Sequence, residues 1–528
     1  MPYPRLLAIL CLCLLTTICA HATVINVPAG GIDQINAALA KAHPGDTVQL
    51  AAGTYAITET LKMPMAVKLL GAGTDKSIVH YTGDKPATML VLTGVNDVEV
   101  ARLTLDAENN PLVGRPVFGY NCKRLNLHHL AIRNTDPKDG NPAIQFSGDA
   151  KTYANGVLDS VVADCVLENL GLDSGWGCGI RFSWGSSGNS ALRNTIRNAG
   201  RGGILTDNRS SDLTIRGNTV SGSGGEGLGI EVWGGCDRCM IEDNTLDHWL
   251  SIGGCDWCAV RRNTISDTSG TVKFIGIEGI GSYCLYTDNV VDDGQLIGIS
   301  VSGSQPKDYC YYANNTVRKC LQWAAQFQGE AGGIGYNYFY QCKFNDTTVG
   351  RGKLPYPGYE GHGFRINGDM HHAVLDQCEM AGNGRYGVQL GGAKVDFLSF
   401  LKCAIVDNKG AAVADLRDYT AVEFTDCKVS GNGSNNLPPN KPFPTPAPQA
   451  TLEGPAQAKV GQRVEFRCAS PAADERGAVV LWDLGDGLPR RGDHVRYRYE
   501  NPGKYLVAMI LWDKNGRAVR LERLVEVK

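Results

Sequence analysis

Asp207 and Glu231 fall at outward places on neighbouring units of a repeating sequence, and Glu278 falls two units further on. Two carboxylates across a sugar–sugar bond do glycosidase chemistry at about 5 to 5.5 Å for retention or 6.5 to 9.5 Å for inversion. If each unit is one turn of a stacked solenoid, Asp207 and Glu231 should lie about 5 to 7 Å apart. Glu231 and Glu278, two turns apart, should be separated by about 9.5 Å. A general acid needs a raised pKa, and a close second carboxylate supplies one by repulsion. Glu231 is therefore the expected acid, with Asp207 or Glu278 as nucleophile or base and Trp233 as an apolar wall. Arg181 and Arg365 either bind acidic sugars or pair with neighbouring carboxylates. Gln326 and His362 complete the expected substrate-binding set. Outward strand positions of any solenoid also carry charge for solubility.

A second set of reactive residues reads differently. Cys236, Cys239, Cys255 and Cys258 form C-x2-C, fifteen residues, C-x2-C, a spacing that suits a four-thiolate zinc site. Yet Cys236 to Cys255 and Cys239 to Cys258 are each one repeat apart. Like cysteines then stack in parallel columns as small buried hydrophobes instead of converging on a metal. No metal is expected. Disulfides between turns fit the usual Cα range, because adjacent strands lie about 4.8 Å apart.

The elements that place these residues are the repeats themselves. "IRGNTVSGSGGEGLGIEVWGG", "IEDNTLDHWLSIGG" and "VRRNTISDTSGTVKFIGIEGIG" share an Asn-Thr-apolar segment, a polar turn and a Gly-Ile or similar strand. Units this short cannot bury their own apolar face, but stacking does bury it. The fold class is all-β: a right-handed parallel β-helix over residues 23–433. Asn194, Asn218, Asn244, Asn263, Asn289 and Asn315 form one column, continued by Cys342, Cys378, Cys403 and Cys427. Cys239, Cys258, Cys284 and Cys310 form another. In the Gly-Ile strands one outward column reads Gln145, Arg181, Leu205, Glu231, Gly253, Glu278, Ser300, Gln326, Arg365, Gln389. Trp176, Trp249, Trp323 and Tyr386 precede it in the turns. Such a ribbon of acids, amides and aromatic plates suits sugar hydroxyls and rings.

Residues 1–22 have a basic start, an apolar run from Leu6 to Ile18 and a small-x-small Ala20-His21-Ala22, the pattern of a secretory signal. Of 18 cysteines, 15 lie beyond it, so an oxidising compartment leaves at least one thiol unpaired within a monomer. The net charge of −3 gives no basic surface for nucleic acid, and no later run is apolar enough to span a bilayer. The expected state is a secreted, extracellular or periplasmic monomer. The stretch "GGIDQINAALAKAHPGDTVQLAAGTY", with an amphipathic helix at about 32–42 that would cover the open first rung, and "LLGAG" at 69–73 resemble the start of pectate-lyase-like β-helix proteins. That resemblance is architectural and implies no catalytic residue. "SNNLPPNKPFPTPAPQA" at 434–450 is Pro-rich and reads as an extended spacer. Beyond it, alternating strands at 451–528 suggest a small β-sandwich. Trp482-Asp483, Gly485-Asp486-Gly487, Tyr499, Pro502-Gly503 and Tyr505 resemble a PKD (polycystic kidney disease) domain, which implies an extracellular context and a spacer or binding role.

These features favour a polysaccharide-degrading glycoside hydrolase whose partner is an extracellular glycan. The rival is a polysaccharide lyase, in which Lys273, Arg181, Arg365 or Tyr386 would neutralise a uronate and take its C5 proton, often with Ca²⁺. A third reading is a non-catalytic glycan-binding or structural solenoid. Asn134-Thr135-Asp136, Asp292-Asp293, Gly361-His362-Gly363 and Arg365-Ile366-Asn367 also resemble the ordered motifs of polygalacturonases. The first two are far apart in the chain, and Asn367 stands where that family has lysine, so no catalytic role is carried over.

Overall fold

The computed structural model describes residues 22–224, 228–267, 273–293, 295–303, 307–329, 333–349, 361–392 and 394–528. The signal-like residues 1–21 lie outside this set, as does the side chain of Lys273. From Val24 to Ser430 the chain coils through three parallel sheets of 17, 16 and 14 strands. Sixteen strands at about 4.8 Å per step make a solenoid about 70 Å long. The helix Ile32–Lys41 packs its Ile32, Ile35, Ala38 and Leu39 face on the first rung. No helix among the described residues is long and apolar enough to cross a membrane.

The corner between the first and second sheets is built from two residues. Arg193, Gly217, Asp243, Arg262, Asp288 and Asn314 all adopt left-handed backbone, with φ between 51° and 69°. Each reverses the chain, so the asparagine that follows points inward. Asn194 through Asn315 then form one buried ladder. In it each Oδ1 accepts the backbone N–H and the Nδ2 of the asparagine one turn earlier, at 2.9–3.1 Å. Each Nδ2 also donates to a carbonyl below, as Asn263 does to Ile241. The column starts at Cys165, whose N–H meets Asn194, and passes to Cys342, whose Sγ lies 3.7 Å from Asn315 Nδ2. Replacing Asn263 by alanine orphans the buried N–H and Nδ2 of Asn244. It should cost about 2–5 kcal/mol, because each unsatisfied donor costs about 1–3 kcal/mol. Denaturant unfolding reads this directly, and a loss under about 1 kcal/mol would show the ladder to be ornamental.

The cysteines of the zinc-like pattern stand in parallel columns, as the repeat register requires, and all are buried. All fifteen cysteines among the described residues are free thiols.

Residues 451–528 form a sandwich of a three-stranded and a five-stranded sheet. The Pro-rich segment does not hold this sandwich away from the solenoid. Lys441 N–H donates to Val422 O, Asn440 Oδ1 accepts from Phe424 N–H, and Phe443 packs on Phe397. The sandwich thus lies against the first sheet. Val479, Leu481, Ala508, Ile510 and Trp512 pack with Leu285, Tyr311, Tyr338, Tyr340 and Val374 in a common buried cluster. Arg261 and Asp483, 4% and 8% exposed, make a two-pronged ion pair at 2.9 and 3.2 Å across the junction. Arg520 lies 3.5 Å over the Tyr340 ring, and Arg517 pairs with Glu423 at 2.9 Å.

Candidate active-site cleft

The third sheet carries the ribbon of outward polar residues. Its register places Gln145, Arg181, Leu205, Glu231, Ser251, Glu278, Ser300, Gln326, Arg365 and Gln389 at one level of successive strands. Ser251, not Gly253, fills the place between the two glutamates. The unit from Asn244 to Asn263 is only 19 residues long, and its shortened corner slides the strand Leu250–Gly253 by two positions. Gly253 instead lies opposite Trp233. A Cβ there would sit 2.5 Å from Trp233 Cδ1, so the glycine lets the indole lie across the strand.

Ser251 and Gly253 make a low floor between taller neighbours. The result is an open cleft of about 1000 Å³ lined by Arg201, Glu231, Trp233, Trp249, Phe274 and Glu278, among others. Both oxygens of Glu231 accept from Arg201, at 2.8–3.0 Å, and the guanidinium is stacked 4.5 Å over Trp176. Glu278 is held differently. Its Oε2 accepts from Ser251 Oγ at 2.6 Å and from Trp249 Nε1 at 3.3 Å. Trp249 and Phe274 cover it, their rings 5.5 Å apart. Burial pushes the Glu278 carboxyl above the usual glutamate range; the two hydrogen bonds oppose this and the charge of Glu231 adds to it.

The cleft continues toward the C-terminus as a second hollow of about 630 Å³, which shares Trp249, Phe274 and Glu278 and adds Trp323, Gln326 and Arg365. Arg365 lies 4.3 Å over Trp323 and donates to Gln326 and Gln389.

Of the expected residues, Glu231, Trp233, Glu278, Gln326 and Arg365 therefore line one continuous groove. Three others do not. The register sets Leu205 opposite Glu231 and Thr206 opposite Val232, which carries Asp207 to the level of Trp233. There Asp207 Oδ2 takes Arg181 Nε at 3.0 Å, and a second donor of the same guanidinium also contacts it. Asp207 is thus not the carboxylate neighbour that Glu231 was expected to have, and Arg181 is committed to a carboxylate. His362 is 1% exposed and packs on Tyr386, and its burial with Arg365 and Arg385 nearby lowers its pKa to about 3. It is a neutral buried ring, not a groove residue. The polygalacturonase-like strings also fail to converge: Asp292 belongs to the second sheet and pairs with Arg318, while His362 belongs to the third. Arg201, Ser251 and Phe274 were missed in the sequence. The only signal for Arg201 was its place just before the Gly-Gly-Ile-Leu strand, in the turn position where the tryptophans occur.

Comparison with known proteins gives two family matches. Residues 120–246 match the right handed beta helix region, and residues 445–527 match the PKD domain. Among curated proteins, a collagenase of Bacillus cereus (strain Q1) is 34% identical over 84 residues. That match covers 16% of this chain and 9% of the collagenase, so the chain spans about a tenth of the curated relative's length. Among solved structures, the mannuronan C-5 epimerase A-module of Azotobacter vinelandii aligns at 13% identity and TM-score 0.39, over 78% of this chain and 95% of that one. The catalytic unit of an α-1,3-glucanase from Streptomyces thermodiastaticus aligns at 14% identity and TM-score 0.40, over 69% and 66%.

Proposed function

We propose that the protein is a secreted glycoside hydrolase that cleaves a polysaccharide lying along the third sheet. Glu278 is the general acid and Glu231 the general base. The observation that carries this reading is the contrast between two carboxylates in one aromatic-walled cleft. Glu278 is desolvated and favours its proton, whereas Glu231 is gripped by a guanidinium. A buried carboxyl that favours its proton, facing a second carboxylate across a cleft, is the arrangement an acid–base pair needs. The two residues are two strands apart, about 9.6 Å at the Cα level, and carboxyl groups leaning over Ser251 toward each other would come within the roughly 6.5–9.5 Å that leaves room for a water and favours inversion. A carboxylate accepts at about four sites, and Arg201 occupies three on Glu231. The fourth is left to take a proton from water. Trp233 and Trp249 supply plates for sugar rings.

The test is a panel of neutral and uronic-acid polysaccharides, with reducing ends and absorbance near 235 nm read separately. New reducing ends without ultraviolet absorbance are expected, with an inverted anomeric product and no loss of turnover in EDTA. Unsaturated product would move the protein to the lyases, and retained anomeric configuration would make Glu231 a nucleophile. Inertness toward the whole panel, together with measurable glycan binding, would leave the non-catalytic reading.

A further inference from the structure

The docked C-terminal domain presents one sheet to the solenoid and the other to solvent. In the five-stranded sheet, Val479, Leu481, Ala508, Ile510 and Trp512 face the solenoid, while Val480, Trp482, Val507, Met509 and Leu511 face the sandwich core. The three-stranded sheet is therefore the layer farthest from the solenoid. Its strand Arg463–Ala469 turns Val464, Phe466 and Cys468 inward and leaves Arg463, Glu465 and Arg467 exposed. Its strand His494–Arg498 buries Val495 and exposes His494, Arg496 and Arg498.

The register across this exposed face is unusual in its charge. Arg463 lies opposite Arg498, Glu465 opposite Arg496, and Arg467 opposite both His494 and Glu453. Four arginines and a histidine share the face with two glutamates, and one of these, Glu465, is taken by Arg496 at 2.6 Å and His494 at 3.3 Å. Like charges directly opposite on a strand pair destabilise it, so the Arg463–Arg498 pair is held against a local cost. The wider charge distribution agrees. Residues 451–528 hold fourteen Lys and Arg against eleven Asp and Glu, a net +3, although the whole chain is at −3. The overall balance hides a basic domain on an acidic solenoid.

We propose that this outer face binds an anionic polysaccharide, a polymer bearing carboxylate or sulfate groups along its length. Guanidinium forks match such groups two bonds at a time. Arginines two residues apart on one strand repeat at about 6.8 Å, and cross-strand neighbours stand about 5 Å away. The face is thus a grid of cations suited to a regularly charged chain. Because the domain is fixed by its apolar junction, a polymer bound here stays in constant relation to the cleft. The proposal does not depend on what the cleft catalyses.

The test uses the full chain in affinity electrophoresis through gels holding polygalacturonate or neutral dextran. Retardation by polygalacturonate alone is expected, weakening as salt screens the charges. The double variant Arg463→Glu/Arg498→Glu should lose about tenfold or more in affinity. The neutral variant Arg463→Gln/Arg498→Gln should lose binding while folding at least as stably as the parent. Glu278→Gln should bind like the parent, which separates this surface from the cleft. Absence of retardation, unchanged binding in both arginine variants, or binding abolished by Trp233→Ala instead would overturn the proposal. So would tighter binding to duplex DNA or to phosphatidylserine vesicles than to polygalacturonate.

Discussion

Replacing Glu278 by glutamine is expected to lower turnover by about a hundredfold or more, the low end of a general acid's usual contribution, with little change in KM. The amide keeps the shape and can still meet Ser251 and Trp249, so the fold and the cleft should survive. The pH profile carries the finer test. The acid must be protonated, so activity falls as pH rises through the Glu278 pKa, which burial holds above the ordinary glutamate range. The alkaline limb should therefore lie higher than an exposed glutamate would place it, and it should vanish in Glu278→Gln. The linkage to stability has the same sign. A carboxyl raised in the folded state stabilises at low pH, and that contribution is lost as pH climbs through its folded value. Glu278→Gln should thus be at least as stable as the parent at neutral pH. An active substrate cleaved by Glu278→Gln at the parental rate would sink the assignment. Ser251→Ala offers a graded companion: loss of its hydrogen bond should push the Glu278 carboxyl further up and carry the alkaline limb with it.

Undocking the C-terminal domain should have the largest effect on stability. Trp512 is wholly buried in the junction and meets the Tyr309 ring edge-on at 5.4 Å. Removing such a side chain costs about 3–5 kcal/mol. Arg261→Ala should cost a similar amount, because it leaves Asp483 buried without its cation. In either variant the Pro-rich segment 434–450 should become the first site of limited proteolysis, since Arg517 of the docked domain lies 4.1 Å over its Phe443 ring and pairs with Glu423, which takes the Phe443 N–H. A protease pattern and an unfolding midpoint unchanged from the parent would mean that the domain is merely tethered. The binding sheet proposed above would then move freely, and its own test is unaffected by that result.

Much of this was legible from the chain alone, and the reasons are physical. Side chains alternate along a strand, so Ile230 inward implies Glu231 outward, and the asparagine column follows from a constant corner. Alternation gives the face but not the level. That is why Gly253 was expected where Ser251 stands. Asp207 does stand on the strand next to Glu231, at the level of Trp233, but nothing in the chain showed that Arg181 takes its carboxylate. The level depends on how many residues each corner consumes, which composition does not state. The junction also left a trace. Val479-Val480-Leu481-Trp482 and Val507-Ala508-Met509-Ile510-Leu511-Trp512 are near-continuous apolar runs, the pattern of strands covered on both faces. A sandwich with one sheet in water would have alternated throughout, as Arg463–Ala469 does. The charge pairing of Glu231 with Arg201 left no comparable trace, because the partners are thirty residues apart and meet only through the register.

The short turn beneath the cleft has a consequence for how such a chain can diversify. Between the asparagine column and the third sheet, the units differ freely in length: Leu246 leads almost at once into Leu250, whereas Asn345 is followed by a long stretch before His362. Corners on the asparagine side are held at two residues by the ladder. The return corners from the third sheet to the first also vary, from the thirteen residues between Ser147 and Val161 to the three between Ile366 and Met370. Variation in chain length is thus kept out of the asparagine corner and falls on the two lips of the groove. Lineages can lengthen or trim either lip, and so reshape which glycan fits, while every inward column stays in phase. At the asparagine corner additions are tolerated only in whole turns, as a stack of coins grows only by the coin.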